Sequence, residues 1–138
     1  MRHLLDNDVF FAAIYGKHTL HVVARRWLDR TKPAGWGVAT ETYLAAVRLL
    51  MNPAVMKSGH LSAGDAIDAV ETELAGRHPG RIVQTRRKPD AVMLRLATGH
   101  KQVMEFWLTQ LAAEHGCTLA TNDAALADRW PDIVRRIS

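Results

Sequence analysis

Four acidic side chains stand where short apolar runs give out or helices begin. Asp6 follows HLL, Glu41 follows GVAT, Asp123 follows TLATN, and Glu105 lies near the start of the helix that feeds that last run. In an open parallel α/β sheet the functional crevice lies outside the carboxyl ends of the strands. If the first, second and fourth strands are neighbours, the four acids converge there. Crowded carboxylates repel one another and titrate abnormally unless a cation neutralises them. A donor set made only of oxygens selects a hard ion, Mg²⁺ or Mn²⁺, over zinc. Held with open positions, such an ion suits phosphate chemistry, activating water and balancing charge on phosphoryl oxygens.

Each acid also has an ordinary structural reading. Asp6 suits an Asx-turn, Glu41 and Glu105 suit the positive end of a helix dipole, and Asp123 suits a helix cap. Their joint placement, not any one of them, carries the functional reading.

The elements that must position these acids follow from pattern and punctuation. Strand-length runs occur at 2–5, within the Pro/Gly-led segment 32–40, at 80–85, at 118–121 and at 132–137. Helical spacing of apolar residues appears over 18–30 (Leu20, Val23, Ala24, Trp27, Leu28) and 41–50 (Tyr43, Ala46, Val47, Leu50). Thr40 is the expected N-cap of the second of these, and Asn52-Pro53 ends it. A third helix is expected over 61–76, opened by the capping-box-like Ser62-x-x-Asp65 and closed at Gly76. Two more are expected over 88–99 and 100–116, the latter stopped by Gly116, and another from 123. Strands alternating with helices mean an α/β fold with a mostly parallel sheet, because parallel strands need crossover connections.

The chain's 138 residues suit a single domain, expected to span 1–138, with a real core. Its 48% hydrophobic and 23% charged content exclude a disordered chain. No apolar run reaches the ~20 residues of a membrane span. Asp6 and Asp8 interrupt the apolar N-terminus, so neither a signal segment nor an anchor is expected there. One cysteine, Cys117, excludes an internal disulfide and suits a reducing compartment, so a cytoplasmic protein is expected. It reads as a small buried hydrophobe. The net charge of +4 favours an anionic partner, nucleic acid first. Within QTRRKPD, Arg86, Arg87 and Lys88 are the candidate RNA-backbone contacts.

Three blocks, HLLDNDVFFA (3–12), ATETYLAAVRLLMNP (39–53) and GHKQVMEFWLTQLAAEHGCTLATNDAALA (99–127), resemble the acidic blocks of PIN-domain ribonucleases. The resemblance is closest to the VapC-type toxins of bacterial toxin–antitoxin pairs, while residues 54–98 match only in length and helical character. It implies a three-layer α/β/α sandwich around a mostly parallel sheet, with Mg²⁺-dependent RNA phosphodiester cleavage in which Mn²⁺ substitutes. The family's four acids fall on Asp6, Glu41, Glu105 and Asp123, as catalytic residues and metal ligands. Thr121 matches its hydroxyl residue two places before the fourth acid. The chain departs from the pattern at Glu105, where Asp is usual, and at Asp8, where Asn or Ser is usual. A homodimer and a cognate protein antitoxin are implied as partners.

Two alternatives share these residues. LLDND resembles the Asp-x-Asp of haloacid dehalogenase-type phosphatases, with Asp6 as nucleophile and Asp123 and Asp128 as a final acidic pair. Against it stand Phe10 where Thr or Val is usual, the short chain, and Glu41 and Glu105 left without a task. The other alternative is a catalytically weakened PIN-like binding module, which the Glu105 departure favours. His18 and His21 lack a third metal ligand of suitable spacing. Trp27, Trp36, Trp107 and Trp130 read as core or dimer contacts, because arginines do not interleave them. No HExxH, Walker loop, dinucleotide glycine pattern or CxxC pair is present.

Overall fold

The structure is a computed structural model describing residues 1–138. Its strands are β1 (His3–Leu5), β2 (Trp36–Ala39), β3 (Arg81–Val83), β4 (Thr118–Thr121) and β5 (Val134–Arg136). They pair in parallel throughout, in the order β3-β2-β1-β4-β5. The strands carrying Asp6, Glu41 and Asp123 at their ends are therefore adjacent. The helices are α1 (Asn7–Ile14), α2 (His21–Thr31), α3 (Thr40–Met51), α4 (Pro53–Met56), α5 (Ala63–Leu74), α6 (Ala91–Leu94), α7 (His100–Glu114) and α8 (Ala124–Arg129).

Alternation along the strands makes two cores. Leu5, Val38 and Ala120 face one side and pack with α1, α2, α3 and α5 around Phe10, Trp27 and Trp36. Leu4, Ala39 and Leu119 face the other and pack with α7 and α8 around Phe106, Leu108 and Leu126. The result is a three-layer α/β/α sandwich. Leu5 and Phe10 are wholly buried, each contributing about 1.5–3 kcal/mol of hydrophobic stabilisation. Arg25 of α2 adds a two-pronged bond to Glu73 of α5, at 2.7 and 2.9 Å, fixing the outer helices of the first layer. Cys117 is buried as expected.

Gly35 shows why the turn into β2 needs glycine. Its φ is +90°, and a Cβ there would come within 2.9 Å of the Met1 backbone. Its carbonyl accepts from the N–H groups of Arg2 and His3, which starts the β1–β2 register.

Several sequence expectations are corrected. Helix α1 has no counterpart in them, because Val9, Phe10, Phe11, Ala12 and Ala13 are all buried and leave no polar stripe to reveal a period. The helix expected over 88–99 shrinks to the single turn α6, capped by Asp90, whose carboxylate accepts from Val92 N–H at 2.9 Å. Thr40 is the first helical residue of α3, and Ala39 occupies the cap position without a side-chain bond. The helix expected to run to Gly76 ends at Leu74, and the Ser62 hydroxyl caps it at Asp65 N–H as the pattern indicated.

Candidate active site

Asp6 is the first residue past β1, and its place is set by backbone pairing. Its N–H donates to the Ala120 carbonyl of β4 at 2.9 Å, carrying the β1–β4 seam one residue past β1. The extended backbone then hands over to α1, which Asp6 caps: Oδ1 accepts from Asn7 N–H at 2.6 Å. Across the seam, the Thr121 hydroxyl donates to Asp6 Oδ2 at 2.7 Å. That hydroxyl oxygen also accepts from Asp123 N–H at 3.1 Å, so Thr121 ties together the two turns that carry acids. Asp123 caps α8 through Oδ1, which accepts from Leu126 N–H at 3.0 Å, a contact worth about 1 kcal/mol. Capping and site-building are thus not rivals here. The cap orients the carboxylate.

The electrostatics are those of crowded, partly desolvated acids. Burial pushes the Asp6 carboxyl up to about 6, with the charges of Asp8 and Asp123 adding to it and the Thr121 and Asn7 hydrogen bonds opposing. Glu105 is pushed up to about 7, first by burial and then by the charges of Asp123, Asp6 and Asp8, with Lys101 opposing. Four acids therefore feel one another: Asp6, Asp8, Glu105 and Asp123.

Two hollows open around them. One is lined by Asp6, Asn7, Asp8, His100, Lys101, Met104 and Glu105. The other, between α7 and α8, is lined by Glu105 and Asp123 together with Gln102, Phe106, Asp128 and Arg129. Glu105 is the wall they share. Glu41 lies apart, exposed in a third hollow with Thr85, Arg87 and Trp107, separated from the first by Met104. The chain thus brings Asp6, Asp8, Glu105, Asp123 and Thr121 together and leaves Glu41 one side chain removed. No three acidic, histidine or cysteine side chains close into a ready-made metal cage.

The donors nonetheless fit a hard divalent cation. They are all oxygens, and burial reinforced by the neighbouring acids' charge holds protons on Asp6 and Glu105 to unusually high pH, which a cation would relieve. A loosely gathered carboxylate set suits Mg²⁺, which keeps several of its waters.

Neighbours that sequence reasoning passed over complete the site. Asn7 accepts the Thr42 hydroxyl at 2.6 Å, pinning the start of α1 to α3. Lys101, four residues before Glu105 and so on the same helix face, lines the hollow of Asp6 and Glu105, and its charge opposes the upward shift of Glu105. Its spacing was legible; its nearness to Asp6 was not. Of the basic segment, Arg86, Arg87 and Lys88 are exposed, and Arg87 Nε lies 3.4 Å from Glu114. His18 and His21 serve the backbone: His18 Nδ1 accepts from Leu20 N–H, and His21 Nδ1 donates to the Ala12 carbonyl.

Comparison with known proteins adds independent observations. Ribonuclease VapC39 of Mycobacterium tuberculosis is 34% identical over 134 residues, covering 93% of each chain. Ribonuclease VapC29 of the same organism is 31% identical over 140 residues, covering 96% of this chain and 94% of its own. No family model matches the chain.

Proposed function

The chain belongs to the VapC-type PIN-domain toxins, which makes it an endoribonuclease, and we propose that Asp6, Glu105 and Asp123, with Glu41 beside them, form its metal-dependent catalytic centre. The observation that carries this reading is the convergence of three acids, Asp6 and Asp123 just past two strands and Glu105 within α7, on adjoining hollows, with Asp6 and Glu105 both pushed toward neutrality. The phosphatase-type alternative loses its footing, because ribonuclease relatives match across nearly the whole chain.

Mg²⁺, with Mn²⁺ as substitute, would be held by these carboxylates and would supply charge neutralisation at the phosphoryl oxygens. The residues themselves do the rest. Thr121 and Asn7 hold Asp6 from both of its oxygens, so its direction is set before substrate arrives. Glu105, on the wall shared by both hollows, is placed to accept the proton of a water attacking the phosphorus. As the water oxygen bonds to phosphorus, the bond to the departing oxygen breaks, and that oxygen takes up a proton from solvent water. Lys101 places a positive charge beside the acids, where a phosphodiester oxygen would otherwise meet only repulsion. Arg86, Arg87 and Lys88 are proposed to contact the RNA backbone, with Arg87 reaching the Glu41 hollow.

A homodimer and an inhibitory protein antitoxin complete the proposal. No helix of the chain is long and apolar enough to cross a membrane. The test is cleavage of single-stranded RNA by the parent and by Asp6→Asn, with Mg²⁺, with Mn²⁺ and with a chelator. Cleavage that survives the chelator or the Asp6→Asn change would overturn the metal-centre assignment. A parent protein that binds RNA without cutting it would favour the binding-module alternative.

A further inference from the structure

A groove runs between α7 and α8 away from the acids. At one end Glu105 and Asp123 line a hollow of about 410 Å³ whose other wall includes Phe106 and Arg129. The next turns of the same elements, Thr109, Gln110 and Ala113 on α7 and Trp130 and Ile133 after α8, line a second hollow of about 640 Å³. Arg87, Lys88, Asp90, Met93 and Glu114 complete its lining, with Arg87 paired to Glu114. Arg129 and Trp130 are consecutive, and Gln110 lies about 7.5 Å along α7 from Glu105 by helix rise. The two hollows share no wall residue, and the consecutive pair Arg129–Trp130 is the path from one to the other.

Two features of this path are unexplained by folding. Arg129 has no carboxylate within ion-pair distance, unlike Arg25 or Arg87. Its guanidinium is held instead by two aromatic rings, 5.2 Å from the Phe106 centroid and 5.0 Å from that of Trp130. An arginine oriented by rings and left unpaired keeps its hydrogen-bond donors for a ligand. The second feature is Gln110. Its Oε1 accepts from Asp90 N–H at 2.8 Å, which fixes the orientation of the amide, while the buried Nε2 has no partner. A buried donor left unsatisfied on the wall of a hollow marks an acceptor yet to arrive.

We propose that the α7–α8 groove is a subsite for a nucleotide flanking the cleaved bond. Arg129 binds that nucleotide's phosphate, and Gln110 Nε2 donates to a carbonyl oxygen on its base. Trp130, Met93 and Ile133 supply the apolar wall that a base face requires, and Lys88 attracts the continuing strand. Because the Gln110 amide can only donate here, the subsite disfavours adenine, the one base without a carbonyl acceptor, relative to guanine, uracil and cytosine. The inference rests on the ribonuclease reading of the chain.

The test has a binding arm and a cleavage arm. In the binding arm, fluorescent single-stranded RNA is titrated into the Asp6→Asn protein, with and without Arg129→Gln, across a range of salt. Arg129→Gln is expected to weaken binding about three- to tenfold and to lower the log–log salt slope by about one. Arg129→Lys keeps the charge and is expected to restore the slope. In the cleavage arm, an RNA pool randomised around the cut is sequenced after digestion by the parent and by Gln110→Glu. This change keeps the acceptor for Asp90 N–H and replaces the free donor by an acceptor. A position beside the cut is expected to disfavour adenosine with the parent and to accept it with Gln110→Glu. Melting temperatures confirm that each variant is folded. An unchanged slope in Arg129→Gln, or an unchanged base profile in Gln110→Glu, overturns the subsite while leaving the nuclease reading intact. If the parent cut no RNA, that reading would fall, and the salt slope alone would decide the phosphate contact.

Discussion

The Thr121 hydroxyl donates to Asp6 Oδ2 at 2.7 Å between residues 115 positions apart in the chain. This bond favours the charged carboxylate, opposing the burial that pushes Asp6 up to about 6. Thr121→Val keeps the shape and removes the donor, so the carboxyl should move further up. The acidic limb of the ribonuclease pH profile should then shift to higher pH. Stability near pH 8 should fall by about 1.5–3 kcal/mol, the range for a hydrogen bond to a charged group. An acidic limb that stays where the parent's lies would show that Thr121 does not tune Asp6.

Asp123 caps α8 and also faces Glu105, and one substitution separates the two roles. Asparagine caps helices as well as aspartate does. Asp123→Asn should therefore melt within about 0.5 kcal/mol of the parent while RNA cleavage falls by orders of magnitude. Asp123→Ala should lose both activity and about 1 kcal/mol of stability. Parent-level cleavage by Asp123→Asn would restrict this residue to its cap.

The metal-free protein should lose stability as pH rises through the acids' titrations. Asp6 and Glu105 hold protons up to about 6 and about 7 in the folded state, against 3.8 and 4.5 in the unfolded chain. Between about pH 4 and pH 7 the folded state binds more protons, so unfolding free energy declines across that window. Glu105 is partly exposed, which leaves Asp6 as the main contributor. Urea midpoints in chelator from pH 4 to 8 measure the decline, and Asp6→Asn should flatten it. A midpoint that rose steadily to pH 7 in the parent would contradict the raised carboxyls that burial and neighbouring acids produce here.

A divalent cation that binds only the folded state should reverse that loss. At ten times its dissociation constant, Mg²⁺ should stabilise by about 1.4 kcal/mol. That is roughly 3–6 °C in melting temperature for a domain of this size. Mn²⁺ should act alike, and Na⁺ at matched ionic strength should not. The shift should shrink in Asp6→Asn and Glu105→Gln. Glu41→Gln decides whether Glu41, one hollow away behind Met104, reaches the ion. A full shift in that variant would remove Glu41 from the ligand set.

What the chain determined locally was the rhythm of the fold and the address of its acids. Short apolar runs alternating with helix-spaced segments demand a parallel sheet, and acids just past the runs fall at the active edge of such a sheet. Ser62 could be read as a cap because it, Asp65 and the helix they open are neighbours in sequence. Helix α1 could not be read, because burial on every side erases the periodicity that reveals a helix. Only the tertiary structure decided which acids meet. The order β3-β2-β1-β4-β5 sets β1 against β4, so Asp6 shares Thr121 with Asp123. The same packing set α7 so that Glu105 faces both aspartates while Glu41 opens onto another hollow. It likewise brought Arg129 to the rings of Phe106 and Trp130, and Gln110 to the backbone of Asp90. Pattern and propensity act within a few residues, whereas these meetings depend on strand pairing and helix packing between distant segments, which no local signal encodes.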